Sequence, residues 1–347
     1  MSSTVPKRVE AAGKPPIWRR PMYRAVQKVQ RNVWGRVFFD ICRDPARVVY
    51  VCGSGRSGTT WLAEVVNYRN DHRYMFEPLT PPHVPEFTNF VRGQYLRADA
   101  EPRFAVPLDD MLSGRLRNRW VDRYNRVPLA TRRVIKDVYA NLLLEWVHSK
   151  HPDVRIVLIL RHPMAVITSR LTLAPRDAHR RFEPELHRFL KQEELMQDHL
   201  SPFEGTIASA ETRLEQQAFW WAIENFVPLK QLGRRGLHVV HYEHLRSSPL
   251  TEIARLGRHL GRDFGSEVYE RMQRRSYTTG RYSALRRGGD PATDWRQRWD
   301  RDDIRVVMKV LSLFGLDEMY ADEAMPRRSQ FVDTSIMDQE AAPLAFA

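Results

Sequence analysis

The chain has 347 residues, 42% hydrophobic and 28% charged, the balance of a soluble globular protein able to bury a sizeable core as one large domain or two small ones. Its formal net charge of +13, supplied mostly by arginine, draws anionic partners: nucleic acid, a membrane surface, a polyanionic sugar or a highly charged nucleotide. Two cysteines, Cys42 and Cys52, argue against a disulfide framework, and no segment reads as a signal peptide or membrane span, so a reducing, cytoplasmic setting is expected.

Residues 1–16 are polar, carry Pro6, Pro15 and Pro16, and are expected to be disordered. The segment 17–43, IWRRPMYRAVQKVQRNVWGRVFFDICR, is basic and places Val26, Val29, Val33, Val37 and Ile41 at helical spacing. That pattern predicts a helix, either packed on the main body or making a peripheral contact with an anionic membrane. The main domain is expected over 44–325, with a loosely ordered tail at 326–347. Apolar runs at 48–52, 74–76, 133–136, 154–160 and 237–241 read as strands, and 58–69, 139–150, 163–172 and 212–232 read as helices. Helices placed straight after their strands predict an α/β fold, a P-loop-like parallel sheet flanked by helices. Two long insertions, 79–131 and 174–212, are expected above the sheet, where substrate-binding elements sit. Trp220, Trp221 and Phe226 read as core.

The first strand runs into GSGRSGTT (53–60). Gly53 and Gly58 have the G-x-x-x-x-G spacing of a phosphate loop and Thr60 stands at the Ser/Thr position, but Thr59 replaces the lysine that nucleoside triphosphatases need. A strand, a glycine turn and a helix aim backbone N–H groups at one point, and Arg56, Ser57, Thr59 and Thr60 add donors. At 159–170, ILRHPMAVITSR, a strand ends in Arg161, with Pro163 suited to a first helical turn and Ser169 two turns along. Asp137 could hold Mg²⁺, though without the Walker lysine. In SALRRGGDPATDWRQRW (283–299), Arg286 and Arg287 before Gly288 suggest a loop that closes on a phosphate, or a solvated charge run.

Two separated anion sites with no call for a metal suit 3′-phosphoadenosine 5′-phosphosulfate (PAPS). The chain resembles the PAPS-dependent sulfotransferase superfamily. GSGRSGTTWL is similar to its 5′-phosphosulfate loop, RHPMAVITS to its 3′-phosphate motif, HYEHLRSSPLTEIARL (241–256) to its adenine-side segment and LRRGGDPATDWR to its late arginine–glycine loop. The resemblance spans roughly 48–315. It implies that Arg56, Ser57, Gly58, Thr59 and Thr60 hold the 5′-phosphosulfate and that Trp61 stacks near the adenine, with Tyr242 close to adenine and 3′-phosphate. It further implies that Arg161, Ser169, Arg286, Arg287 and Gly288 hold the 3′-phosphate, that PAPS is the donor and that no metal is required. The phosphosulfate has no γ-phosphate to neutralise, and Arg56 with the loop amides can meet the leaving oxygen.

Cytosolic members carry a histidine base two residues after a strand-end lysine; here Lys136 is present but Val138 holds the histidine position. FEPL (76–79), VIKDVYA and arginine for lysine in the loop are more similar to the Golgi-type carbohydrate sulfotransferases. Glu77 is therefore the candidate base, Lys136 the second cation at the sulfuryl group and Arg56 the group at the leaving oxygen, with Asp137, His83 and His162 as alternative bases. A carbohydrate or glycolipid hydroxyl is the expected acceptor. Phe87, Phe90, Tyr95, Trp120 and Tyr124 are aromatics that could stack on a sugar or serve as core. A P-loop kinase and an inactive nucleotide-binding homologue remain alternatives. No nucleic-acid partner is expected, because the basic residues fall in phosphate-loop motifs and not along an aromatic platform or recognition helix.

Overall fold

The computed structural model describes residues 37–172, 185–279 and 288–327. Strands β2 (Val48–Cys52), β3 (Arg73–Phe76), β5 (Arg133–Lys136), β6 (Arg155–Leu160) and β7 (His238–His241) form one parallel sheet in the order β3-β5-β2-β6-β7. From central β2 the chain crosses to the edge strand β3, returns to place β5 between the two, and then builds outward on the other side through β6 and β7. The reversal puts a crevice at the C-terminal end of β2, where open α/β sheets hold their ligands.

Side chains alternate between two cores. Val48, Tyr50 and Cys52 face one side with Ile156, Leu158 and Leu160, under helices at Pro163–Leu171 (α1), Arg213–Gln231 (α2) and Arg301–Leu313 (α3). Val49 and Val51 face the other with Val157, Ile159 and Val240, under helices at Thr59–Val66 (α4), Tyr242–Ser247 (α5), Pro249–Leu260 (α6) and Glu267–Gln273 (α7). Burial on both faces is why these strands are continuous apolar runs. Trp220, Trp221 and Phe226 are core, as their spacing suggests.

Two local expectations need correction. Residues 139–150 do not form a helix straight after β5: a 3-10 turn at Asn141–Leu143 precedes a helix at Leu144–Lys150. Asp137 accounts for the delay, because it accepts the N–H groups of Leu79 and Tyr139 and holds an irregular turn first. Nor does a helix reach residue 43. Phe39–Asp40 (β1) pairs in parallel with Leu129–Ala130 (β4), leaving Val37 and Ile41 exposed and Phe38 and Asp40 buried. Helical spacing of Val37 and Ile41 also fits one face of a strand, and burial of Asp40 decides between the two. The remainder of the basic segment and the tail beyond 327 lie outside the described residues.

Asp40 is the anchor of this ribbon. Its Oδ2 accepts from Arg73 Nη1 (3.0 Å) and Arg133 Nε (2.8 Å), and its Oδ1 accepts from Arg133 Nη2 (2.9 Å). Arg73 also grips Asp122 at 2.9 Å. Asp40→Ala leaves Arg133 buried without its carboxylate, and loss of one partner of a buried ion pair costs about 3–5 kcal/mol. Urea unfolding should show a loss of that size; a loss below about 1 kcal/mol would contradict the anchoring role.

Candidate active site

All five strands deliver their C-terminal ends, and the candidate residues, to one edge of the sheet. At β2 the chain turns through residues 53–58. Gly53 has φ +148°, and a Cβ there would meet Ile159 O at 2.4 Å; Gly58 has φ +100°, and a Cβ there would meet Tyr242 Cδ2 at 2.8 Å. Only glycine fits either position, so close approach of β6 and Tyr242 fixes the glycine spacing. Gly58 is the N-cap of α4 and supplies no side-chain cap.

The loop is held from beneath by residues that the motif reading did not single out. Ser54 Oγ donates to Glu224 Oε2 (2.8 Å), Arg170 Nη2 donates to the same oxygen (3.2 Å), and Arg170 Nε donates to Gly55 O (3.2 Å). Asn225 Nδ2 reaches Ser54 Oγ at 3.2 Å. The available signal was Glu224 and Asn225 within the otherwise aromatic, apolar stretch of α2, since buried charges come paired.

Above this support the predicted anion ligands converge. Arg161, leaving β6, donates through Nη1 to Arg56 O (2.9 Å) and through Nη2 to Pro291 O (2.5 Å). Its guanidinium also lies 4.6 Å from the Tyr242 ring centroid. Arg56 Nε donates to Ser169 Oγ (3.0 Å), so residues assigned to the two ends of the ligand touch. Among the described residues, the buried Ser57 Oγ and Arg161 Nε have no hydrogen-bond partner. Unsatisfied buried donors are costly, and a ligand with two anionic ends, such as PAPS, would satisfy both. Thr59 and Thr60 are buried on the first turn of α4. Gly288 (φ +82°) and Pro291 bring the late glycine segment to Arg161. Arg286 and Arg287 lie outside the described residues.

Trp61 and Tyr242 meet edge to face at 5.3 Å, and Trp61 Nε1 donates to Met272 O (3.1 Å). Both rings are buried beside the loop.

Two strands away from the loop, Phe76 pairs with Lys136 in register across β3 and β5. Lys136 Nζ lies 2.5 Å from Glu77 Oε1, with the lysine buried and the Glu77 side chain 17% exposed. Glu77 has φ +43°, a conformation that non-glycine residues adopt only under constraint. Its N–H donates to Lys136 O (2.7 Å), while its carbonyl accepts from Thr80 Oγ1 (2.9 Å) and Trp120 Nε1 (3.2 Å). Those bonds hold a strained turn that aims the carboxylate out of the sheet edge.

The alternative bases have other work. Asp137 is buried; burial pushes its carboxyl up to about 7, while both oxygens accept backbone N–H groups. His162 caps α1 by accepting Met164 N–H at Nδ1 and contacts Ala321 O through Nε2; burial pushes it down to about 4. Val138 is buried at the position of the absent histidine. His83 is exposed and stacks on Trp120 at 3.7 Å. The five candidate aromatics divide: Phe87, Phe90 and Tyr95 are core, whereas Trp120 and Tyr124 stand beside Phe76, with ring centroids 5.9 Å and 5.0 Å away.

Among the described residues six histidines are held below their ordinary range by burial: His162, His199 and His259 to about 4, His238 and His241 to about 3, and His244 in the same direction. Between about pH 6.5 and those values the unfolded chain binds the protons, so this contribution to stability falls as pH falls. Asp137 and Glu243, both raised to about 7 by burial, and Asp122 and Glu145, raised by burial too, act in the opposite sense as they protonate in the fold. The histidines outnumber them, so Tm should be lower at pH 5 than at pH 7. A Tm equal or higher at pH 5 would contradict this balance.

The family model described as "Sulfotransferase family" matches residues 48–266, more than half of the chain, and the chain belongs to that family. Among solved structures it is similar to a mouse sulfotransferase complexed with PAP, at 14% identity and TM-score 0.43, covering 80% of this chain and 85% of that one. It is also similar to a sulfotransferase from Alicyclobacillus acidocaldarius (14% identity, TM-score 0.40, 80% of this chain and 97% of that one). A third is a sulfotransferase from Mycobacterium avium (12% identity, TM-score 0.39, 89% and 82%). No curated protein matches the chain.

Proposed function

We propose that this member of the sulfotransferase family moves a sulfuryl group from PAPS to an acceptor hydroxyl. The observation that carries the reading is a single sheet edge bearing an anion cradle with unsatisfied buried donors, Ser57 and Arg161, and a lysine–carboxylate pair on the neighbouring strands. Arg56, Ser57, Gly58, Thr59 and Thr60 receive the 5′-phosphosulfate. Arg161, Ser169 and the Arg286–Gly288 segment receive the 3′-phosphate, and Trp61 and Tyr242 flank the adenine. Glu77 takes the acceptor proton as the hydroxyl oxygen bonds to sulfur. Lys136, on the strand next to the loop, offsets charge on the transferring group. Arg56 and the loop amides stabilise the phosphate oxygen released as the S–O bond breaks, giving adenosine 3′,5′-bisphosphate and a sulfated acceptor.

A carbohydrate or glycolipid acceptor is supported by FEPL, VIKDVYA and arginine in the loop, which align the chain with the carbohydrate-type enzymes. A cytoplasmic site of action suits the free thiols of Cys42 and Cys52. The test is thermal stabilisation by adenosine 3′,5′-bisphosphate in EDTA beside ATP with Mg²⁺. A rise of several degrees with the bisphosphate alone is expected. A rise with Mg-ATP alone would replace this reading with a kinase, the lysine's absence at Thr59 notwithstanding.

A further inference from the structure

The ribbon of β1 and β4 turns one face into the molecule and the other out of it. Phe38 and Asp40 point inward, where Asp40 meets Arg73 and Arg133. Strand alternation then places Val37, Phe39 and Ile41 on the outer face, 57%, 65% and 61% exposed. Phe39 is in register with Leu129, itself 57% exposed, so the four apolar side chains form one patch. The Phe39 N–H donates to Pro128 O (2.8 Å) and the Ile41 N–H to Ala130 O (3.0 Å), which holds the backbone extended through residue 41. A single exposed apolar side chain is ordinary, but a contiguous patch of four large ones marks an interaction surface.

The surroundings of the patch are cationic. Arg43 follows β1 with its side chain 49% exposed, and Arg132 follows β4 and is exposed. Exposed Arg117 rests its guanidinium 4.6 Å from the Phe38 ring centroid. The nearby acid Asp44 accepts the Ala46 N–H (2.9 Å). Residues 17–36, outside the described residues, lead straight into Val37 and carry six cations and no acid, with Trp18, Tyr23 and Trp34. Apolar side chains fringed by arginine, with tryptophan and tyrosine close in the chain, suit the boundary of an anionic bilayer. There the side chains enter the acyl region while the guanidinium groups meet lipid phosphates. A second copy fits less well. Each copy carries a formal charge of +13, and pairing this face would bring two cationic segments together. The patch also offers roughly a few hundred Å², short of the ~800 Å² that each partner gives to a stable interface.

We propose that the outer face of the β1–β4 ribbon docks the protein on an anionic lipid surface. The ribbon lies under the N-terminal ends of β3 and β5, because Asp40 grips their first residues, Arg73 and Arg133. Glu77 and the loop at 53–58 stand at the opposite, C-terminal ends, so docking leaves the candidate active site open to a water-borne carbohydrate. The docking does not depend on which reaction that edge catalyses.

The test sediments the full-length protein with sucrose-loaded vesicles of phosphatidylcholine alone or mixed with phosphatidylglycerol. Binding to the mixed vesicles is expected to be tighter by roughly tenfold or more and to weaken as salt is raised. Phe39→Ser combined with Ile41→Ser should weaken it by roughly tenfold or more, since the apolar contribution goes with the side chains. Leu129→Ser, on the other strand, should weaken it too, and Phe39→Leu should retain most of it. These side chains face outward, so Tm should match that of the unaltered protein in every variant. No binding to anionic vesicles, or binding that survives the double substitution and so belongs to the basic segment alone, overturns the docking face. A dimer in solution that the double substitution dissolves would assign the face to a second copy instead. A Tm several degrees lower in the variants would show that the chain itself covers the face, and would overturn the proposal equally.

Discussion

Glu77→Gln is expected to lower kcat by about a hundredfold to ten-thousandfold while leaving the affinity for adenosine 3′,5′-bisphosphate within about twofold. The glutamine oxygen can still accept from Lys136, and the backbone bonds that hold φ +43° are untouched, so the turn should persist. What disappears is the group that takes the hydroxyl proton, a loss of about 2.7–5.5 kcal/mol of transition-state stabilisation. The strained backbone supports the assignment independently. Such conformations cost about 1–3 kcal/mol and persist where the surrounding structure determines them, typically at functional sites. A kcat within about threefold of the unaltered protein, measured with whichever sugar is accepted, would remove Glu77 from the chemistry.

Arg161→Ala is expected to weaken bisphosphate binding by about tenfold to a few hundredfold. Each charge-assisted hydrogen bond contributes about 1.5–3 kcal/mol, and about 1.4 kcal/mol is tenfold. Two consequences combine here. The substitution removes the orphaned Nε donor, and it frees the carbonyls of Arg56 and Pro291, loosening the phosphate loop from the late glycine segment. Arg161→Lys should recover only part of the loss, because a lysine keeps the charge but cannot span both carbonyls. Isothermal titration gives the affinity, and urea unfolding of the unliganded variant separates binding from folding. An unchanged Kd would show that the 3′-phosphate lies elsewhere.

Much of this site was legible one motif at a time. Val48–Cys52 forms a strand at the expected residues because a strand buried on both faces leaves an uninterrupted apolar signal, and Arg133–Lys136 does so around the apolar pair Val134 and Ile135. The glycine loop was legible because close contacts with β6 and Tyr242 restrict two positions to glycine. The pairing of Glu77 with Lys136 was not, since it depends on β3 lying beside β5, a long-range fact with no local trace. The same holds for Tyr124 on Tyr277 and for Arg170 with Glu224, joined only by the fold. At the N-terminal side, local periodicity misled. Val37 and Ile41 suit a helix equally well, and the buried Asp40 that selects a strand finds its partners in Arg73 and Arg133.

The most direct test of the account is a crystal structure with adenosine 3′,5′-bisphosphate, grown in EDTA. The account predicts the 5′-phosphate over the N-terminus of α4, against Ser57, Thr59 and Thr60, with the 3′-phosphate on Arg161 and Ser169 and the Glu77 carboxylate facing the vacant sulfuryl position. A 5′-phosphate bound away from residues 53–60, or a 3′-phosphate with no contact to Arg161, would contradict it.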